Sequence, residues 1–333
     1  MSKLVIIGQS PAAYSAIKTL RASGAAWDIT LIPTDGHLPY DRDLLPGLIA
    51  RSVKDKDVFC APEDFYKDNN IEIIRDKELS RINFNRHKVY LADRLQVDYD
   101  VLLITDAPQV RFPEIKGLRR QGVFHITRLD SARRIGKHLI FVETAVVVPH
   151  SLRGILTALA LKAAGKEVVL VFAQDKPFPE DVEASATLLK LMDKSALRVI
   201  LNNPIEDILG EGEAQAVRLK SGKVMACEMV IVEEVVPDLR FLADSGLLMQ
   251  ERICVHTTMK TNMADVYAVD AVMELVEPKV IGSYDGDTAN ALSQGECAAS
   301  AVLGREEHFQ YKAPNLMKGF ESVFPIEALS PEV

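Results

Sequence analysis

Two rhythms of apolar residues run along this chain. Short, nearly continuous apolar runs at Leu4–Ile7, Ile29–Ile32, Val101–Ile104, Ala145–Val148, Val168–Phe172 and Met229–Val232 have the length of strands buried on both faces, as in a parallel sheet. After the first run, Ala13, Ile17 and Leu20 fall on one helical face; after the fourth, Leu152, Ile155, Leu159 and Ala163 do the same. The pattern predicts strand, turn, helix, strand in each place, with Ser23-Gly24 and Gly165 as helix stops.

Between these pieces the sequence predicts an acidic helix over Glu63–Asn69 and a small meander of Ile71–Ile74, Leu79–Phe84 and Lys88–Leu91. The stretch Asp98–Thr105 reads as a strand returning to the parallel sheet. A link bearing prolines runs from Ala107-Pro108 to Phe112-Pro113 and marks a domain boundary. Further strands are expected at Leu197–Leu201, Ala214–Lys220, Ile253–His256 and Asp265–Asp270, with Val235–Asp238 as a link. A helix comes next through Ala289–Leu303, and the tail carries Phe309, Tyr311, Phe320 and Phe324.

The first turn supplies candidate chemistry. Gly8, Ser10 and Ala13 stand at the three key positions of G-x-G-x-x-G/A, with serine in place of the second glycine. Such a turn places backbone N–H groups and the positive end of a helix dipole against a pyrophosphate. Asp35, 27 positions after Gly8, is the candidate for a ribose hydroxyl, somewhat beyond the usual ~20 positions; alternatively it is a turn aspartate beside Gly36. The turn recurs: Gly8, Ser10, Ala13 and Gly24 correspond to Pro149, Ser151, Gly154 and Gly165 at one spacing of 141 residues. A duplicated unit suggests a protein built to hold two dinucleotides.

Composition removes some alternatives. With 333 residues, 48% hydrophobic, 26% charged and a net charge of −8, the chain is long enough for two or three domains and too acidic for a nucleic-acid surface. Arg119-Arg120 and Arg133-Arg134 read as solvated faces. Cys60, Cys227, Cys254 and Cys297 are widely spaced, so free thiols in a reducing compartment are expected, with no metal site. No apolar run approaches a membrane span and no leader is evident, so a cytoplasmic location without a membrane partner is expected. His37 and His256 read as surface or strand-end residues, and His150 and Arg153 as surface positions at a helix start.

Taken in order, Gly8–Ala13, Leu38-Pro39-Tyr40-Asp41-Arg42, Tyr99–Thr105, Phe112–Gly117, Tyr267-Ala268-Val269-Asp270 and Ala291–Gly295 resemble the flavoprotein reductases of the pyridine nucleotide-disulfide oxidoreductase superfamily. The likeness is to the nitrite-reductase, rubredoxin-reductase and ferredoxin-reductase branch, and it covers residues 1 to about 325. It implies an α/β fold of two Rossmann-like dinucleotide-binding domains of the three-layer ββα type. Residues 1–110 and 241–305 would form a discontinuous FAD-binding domain, 111–240 an inserted NAD(P)-binding-like domain, and 306–333 a stub of an interface domain. It also implies a site. FAD would have its pyrophosphate at Gly8, Ser10, Pro11, Ala12 and Ala13, and its adenosine ribose near Asp35. Arg42 would lie close to the phosphates, Thr105 at the approach to the flavin, Asp270 against the ribityl chain or pyrophosphate, and the helix start near Ala289 beside the pyrimidine ring.

Several residues depart from the family pattern. Pro149 replaces the first glycine of the second turn, Ser151 the second, Phe172 the ribose-binding acid and Leu156 the usual glutamate. Proline has no N–H and a fixed φ, so NAD(P)H binding is expected to be weak or lost. Pro46-Gly47 stands where the family often has a lysine, and Asp106 where it has a glycine. Asp106 is expected to face solvent as a turn residue; pointing inward, it would disfavour an anionic reduced flavin. Three functions fit: an FAD-dependent oxidoreductase exchanging electrons with a protein or small-molecule partner, a non-catalytic regulatory or binding subunit, and an ordinary NAD(P)H-dependent reductase. No catalytic residue stands out, and the oligomeric state is open.

Overall fold

A computed structural model describes residues 1–106, 110–126, 128–179, 181–233, 236–242, 245–276 and 287–312. The chain lays down β1 (Ser2–Ile7), α1 (Pro11–Ala22), β2 (Trp27–Ile32) and two short helices, α2 (Leu45–Ile49) and α3 (Glu63–Asp68). It continues with β3 (Ile71–Ile73), β4 (Leu79–Asn83), β5 (Lys88–Leu91), β6 (Gln96–Asp98) and β7 (Val101–Ile104). Beyond β8 (Val110–Arg111) come β9 (Val123–Phe124), α4 (Leu129–His138), β10 (Thr144–Val148), α5 (Leu152–Ala163), β11 (Glu167–Val171), α6 (Val182–Lys194) and β12 (Arg198–Ile200). Next are β13 (Ile205–Leu209), β14 (Ala216–Leu219), β15 (Val224–Ala226) and β16 (Met229–Val232). The last described elements are β17 (Val236–Pro237), β18 (Ile253–Val255), β19 (Val266–Ala268), β20 (Met273–Leu275) and α7 (Thr288–Val302).

Two parallel sheets with matching strand order organise these elements. One runs β19-β7-β1-β2-β3 and the other β9-β16-β10-β11-β12. Each is accompanied by a three-stranded antiparallel meander, β4-β5-β6 or β13-β14-β15. The strand periodicity explains the layering of the second unit. Ala145, Val147, Val168, Leu170, Met229 and Ile231 pack with Ile155, Leu159 and Leu188 of the helices. Their neighbours Val146, Val169, Val171, Val230 and Val232 pack with Ile208, Val217 and Met225 of the meander. Successive side chains leave a strand on opposite faces, so an unbroken apolar run serves a helix layer and a meander at once.

The fold thus has the two Rossmann-like units expected, with differences of detail. Ile71–Ile73 is not in the meander; it pairs in parallel with Ile29–Leu31 at the edge of the first sheet. The long connection carrying α2 and α3 allows that parallel return. The third meander strand is Gln96–Asp98, which a turn at Tyr99-Asp100 separates from β7. The two links between the units pair with each other: β8 is antiparallel to β17. Residues 107–109 of the expected boundary, and Phe320 and Phe324 of the expected stub, lie outside the described residues. No helix among the described residues is long and apolar enough to cross a membrane.

Helix α7 packs across α1 at one glycine. A Cβ on Gly295 would lie 2.2 Å from the Ala12 carbonyl oxygen, which is backbone and cannot yield. Gly295→Val is therefore expected to force the helices apart and cost about 1–3 kcal/mol. Urea unfolding would show this as a lower midpoint at unchanged slope, and an unaltered midpoint would refute the contact.

Candidate functional site

Gly8 makes the first turn at φ +111°, a conformation open to glycine. A Cβ there would also lie 2.3 Å from Thr105 Oγ1 and 2.7 Å from the Asp106 nitrogen, so the turn and the end of β7 are pressed together. Thr105 folds its hydroxyl back to donate to the Ile7 carbonyl at 3.1 Å. Ser10 is the N-cap of α1 but makes no side-chain cap bond, and its buried hydroxyl has no hydrogen-bond partner among the described residues. Pro11 occupies the first helical turn, where its missing N–H costs little, and Ala12 and Ala13 are fully buried. The turn thus offers an uncapped helix start with a buried hydroxyl.

Beside it lies a buried polar network. The Gln9 side chain accepts from the Thr34 backbone N–H at 2.8 Å and donates to Asp106 at 2.7 Å, and Arg42 forms an ion pair with the same carboxylate. Asp106 is 8% exposed, contrary to the solvent-facing position expected of a turn aspartate. The Gly8 turn holds its backbone inside, and Arg42 and Gln9 offset the burial of its charge. Asp35 accepts from the His37 N–H at 3.1 Å and from the Tyr40 hydroxyl at 2.8 Å. Burial raises its carboxyl above the usual range despite the Tyr40 bond. Burial likewise pushes the Asp270 carboxyl up to about 6 against the pull of Arg42. The nearby Ser10 hydroxyl pulls the same way as Arg42, although it makes no hydrogen bond of good geometry.

A third set of contacts surrounds the start of α7. Its N-cap Asp287 accepts from the Ala289 N–H at 2.9 Å, Asp43 accepts from the Thr288 N–H at 2.9 Å, and the Thr288 hydroxyl donates to Asp41. Asp43 also reaches Arg153 of α5 at 3.5 Å. Arg153 is 5% exposed, correcting its expected surface position: it is drawn under the Asp41–Asp43 segment. Tyr40 adds a second cross-tie, since its hydroxyl accepts from the Leu129 N–H at 3.2 Å while donating to Asp35. Gly8, Ser10, Asp106, Arg42 and Asp270 therefore converge, while Asp35 lies at one side and Ala289 at another.

The second turn is built alike and filled differently. The Thr105 N–H donates to the Ile7 carbonyl and the Glu233 N–H to the Val148 carbonyl, so Thr105 and Glu233 hold equivalent places after β7 and β16. Glu233 reaches where threonine cannot. Its carboxylate accepts the backbone N–H groups of His150 and Ser151, each at 2.7 Å, and the Ser151 hydroxyl at 2.6 Å. Gly154 makes room, since a Cβ there would lie 2.4 Å from Glu233 Oε2. Phe172 follows β11 directly and is packed into the helix-side core. Glu233 is absent from the motif-based site; aligning the runs Val101–Ile104 and Met229–Val232 would have found it. Among the described residues no cluster of potential metal ligands forms, and all four cysteines are free.

Asp270 generates a pH dependence. Its folded carboxyl titrates near 6 and an unfolded one near 3.9, so protonation favours the folded state. Its contribution is present below about pH 4 and lost as pH rises through about 6. Asp270→Asn is expected to leave stability near pH 4 almost unchanged and to raise it at pH 7.5 by on the order of 2–3 kcal/mol. Urea midpoints at the two pH values measure this, and an equal change at both would reject it.

Known proteins share this architecture. The profile of the family described as pyridine nucleotide-disulphide oxidoreductase matches residues 2–295. The chain is 25% identical over 323 residues to the NADH oxidase of Methanocaldococcus jannaschii, covering 92% of this chain and 71% of that one. It is 25% identical over 317 residues to the NADH-rubredoxin oxidoreductase of Clostridium acetobutylicum, covering 94% and 78%. The crystal structure of a ferredoxin reductase from Rhodopseudomonas palustris superposes with a TM-score of 0.82 at 21% identity, over 93% of this chain and 78% of that one. With the paired parallel sheets, the duplicated turns and a profile match over most of its length, this chain belongs to the pyridine nucleotide-disulphide oxidoreductase family.

Proposed function

We propose that the protein is an FAD-binding oxidoreductase whose flavin exchanges electrons with a protein or small-molecule partner, and that it binds NAD(P)H weakly or not at all. One contrast carries this reading: α1 begins at an uncapped turn, whereas the turn before α5 is filled by the Glu233 carboxylate. The residues of the first turn fit a pyrophosphate. The Ser10 hydroxyl is buried and makes no hydrogen bond of good geometry, and Gly8 lets the turn lie against Thr105 and Asp106, where a Cβ would collide. The helix dipole favours an anion at that end.

In this reading Gly8, Ser10, Pro11, Ala12 and Ala13 hold the pyrophosphate and Asp35 takes ribose hydroxyls through lone pairs left by His37 and Tyr40. Arg42 balances phosphate charge while tethered by Asp106, and Thr105 closes the turn from behind. Asp270 donates or accepts a hydrogen bond according to its protonation, and the start of α7 at Ala289 faces the ring system. When bound, FAD supplies the group that accepts and releases electrons, while the protein positions it and sets its electrostatics.

The sheets support the domain division in which residues 1–110 and 241–305 bind FAD and 111–240 form the inserted unit. Free cysteines support a reducing, cytoplasmic setting. Support for a small electron carrier as partner comes from relatives described as rubredoxin reductases and from a putidaredoxin reductase solved in covalent complex with putidaredoxin.

A second reading, a non-catalytic subunit on the same fold, is favoured by the Asp41 and Asp43 carboxylates at the start of α7 and by Asp106 beside the first turn. Absorption spectroscopy separates the two. The protein is expected to carry or take up one FAD, to remain oxidised under anaerobic NADH or NADPH, and to bleach with dithionite. A featureless spectrum after incubation with FAD would remove the flavin assignment. Rapid bleaching by micromolar NADH would restore an ordinary NADH-dependent reductase.

A further inference from the structure

The turn before α5 has lost the first glycine of its motif, yet it still binds an anion. Pro149 contributes no N–H, but the donors just after it, His150 N, Ser151 N and Ser151 Oγ, all point to one carboxylate. Glu233 is 2% exposed, and its contacts of 2.6–2.7 Å are in the range of charge-assisted hydrogen bonds. In the first unit the equivalent Thr105 turns away to the Ile7 carbonyl, and the N-cap there makes no side-chain bond. Among the differences between the units, it is the Glu233 side chain that reaches the helix start.

We propose that Glu233 makes an autoinhibitory contact: its carboxylate is an internal ligand that keeps an otherwise competent anion-binding turn closed to phosphate-bearing molecules. This deepens the reading of the second unit as a dinucleotide unit that does not accept NAD(P)H, and it rests on that reading. Being part of the chain, the carboxylate competes at an effective concentration no free ligand matches. A pyrophosphate must therefore displace it and leave a buried carboxylate unpaired, which is strongly unfavourable. Gly154 belongs to the same device, because any side chain there would meet Glu233 Oε2 and Pro149 Cα. Glu233 also stands just before the return link, whose strand β17 pairs with β8, so the contact ties that link to the start of α5.

The test uses the full-length protein and two variants, Glu233→Ala and Glu233→Gln, with inorganic pyrophosphate as probe. Hydrogen exchange of a peptide spanning residues 149–155 is the readout. In the wild type this peptide is expected to exchange slowly and to ignore millimolar pyrophosphate. In Glu233→Ala it is expected to exchange at least about tenfold faster, because its amides lose their acceptor, and pyrophosphate restores protection. Glu233→Gln keeps an acceptor of the same shape without the charge, so it decides the matter if the alanine variant does not fold; intermediate exchange slowed by pyrophosphate is expected. A folded variant that pyrophosphate does not protect overturns the proposal, as does equal protection of the wild type. Failure of the broader functional reading looks different: bleaching of the wild-type flavin by NADH, whatever pyrophosphate does to the variants.

Discussion

The first N–H groups of an α-helix have no partner within the helix, and in this fold α1 and α5 start just after β1 and β10, the central strands of the two parallel sheets. Much of the chemistry depends on how that need is met. Close approach of the turn to the end of β7 requires glycine at Gly8, and in the other unit Gly154 of α5 leaves room for the Glu233 carboxylate. The residue just past the neighbouring strand differs between the units: Thr105 bonds back to Ile7, whereas Glu233 fills the turn beside it. Thr105 and Glu233 occupy equivalent backbone positions, and the longer glutamate side chain is the one that reaches its helix start.

The parts of the fold that arise from local pattern were legible in the sequence. Apolar runs marked β1, β2, β7, β10, β11 and β16 because a sheet covered on both faces leaves no polar alternation to confuse them. The duplication was legible because turn and helix-stop residues recur at one spacing. Other features depend on contacts between distant segments. Ile71–Ile73 looked like meander because its short run carries no mark of its parallel partner. Asp106 and Arg153 looked exposed because charged residues usually are, and only the fold brings Arg42 and Asp43 beside them. Glu233 lay one residue past a recognised strand, outside the motif that drew attention to the turn.

The segment from Tyr40 to Val58 has two roles. It carries Arg42 into the first site, yet Tyr40, Leu45, Ile49 and Val58 are buried in the core of the second unit with Leu129, Ile135 and Leu159. Asp43 joins the starts of α5 and α7 through one carboxylate. Helix α2, with Leu45 and Ile49 buried, is packing between the units. The Arg42–Asp106 ion pair and the packing between the units therefore depend on the same stretch.

The paired links have another consequence. Every strand of the second sheet lies in the chain between β8 and β17, and these two strands run side by side, Val110 opposite Pro237 and Arg111 opposite Val236. The chain thus leaves and re-enters the first unit through a single neck whose two sides are already hydrogen-bonded. Such a neck makes everything beyond it a cassette: a different insert with closely spaced ends could be grafted there while β19, β7, β1, β2 and β3 keep their order. The graft would have to cover Tyr40, Leu45, Ile49 and Val58, which now pack against the second unit, and to replace the contacts of Tyr40 with Leu129, Asp43 with Arg153 and Asp55 with Arg133.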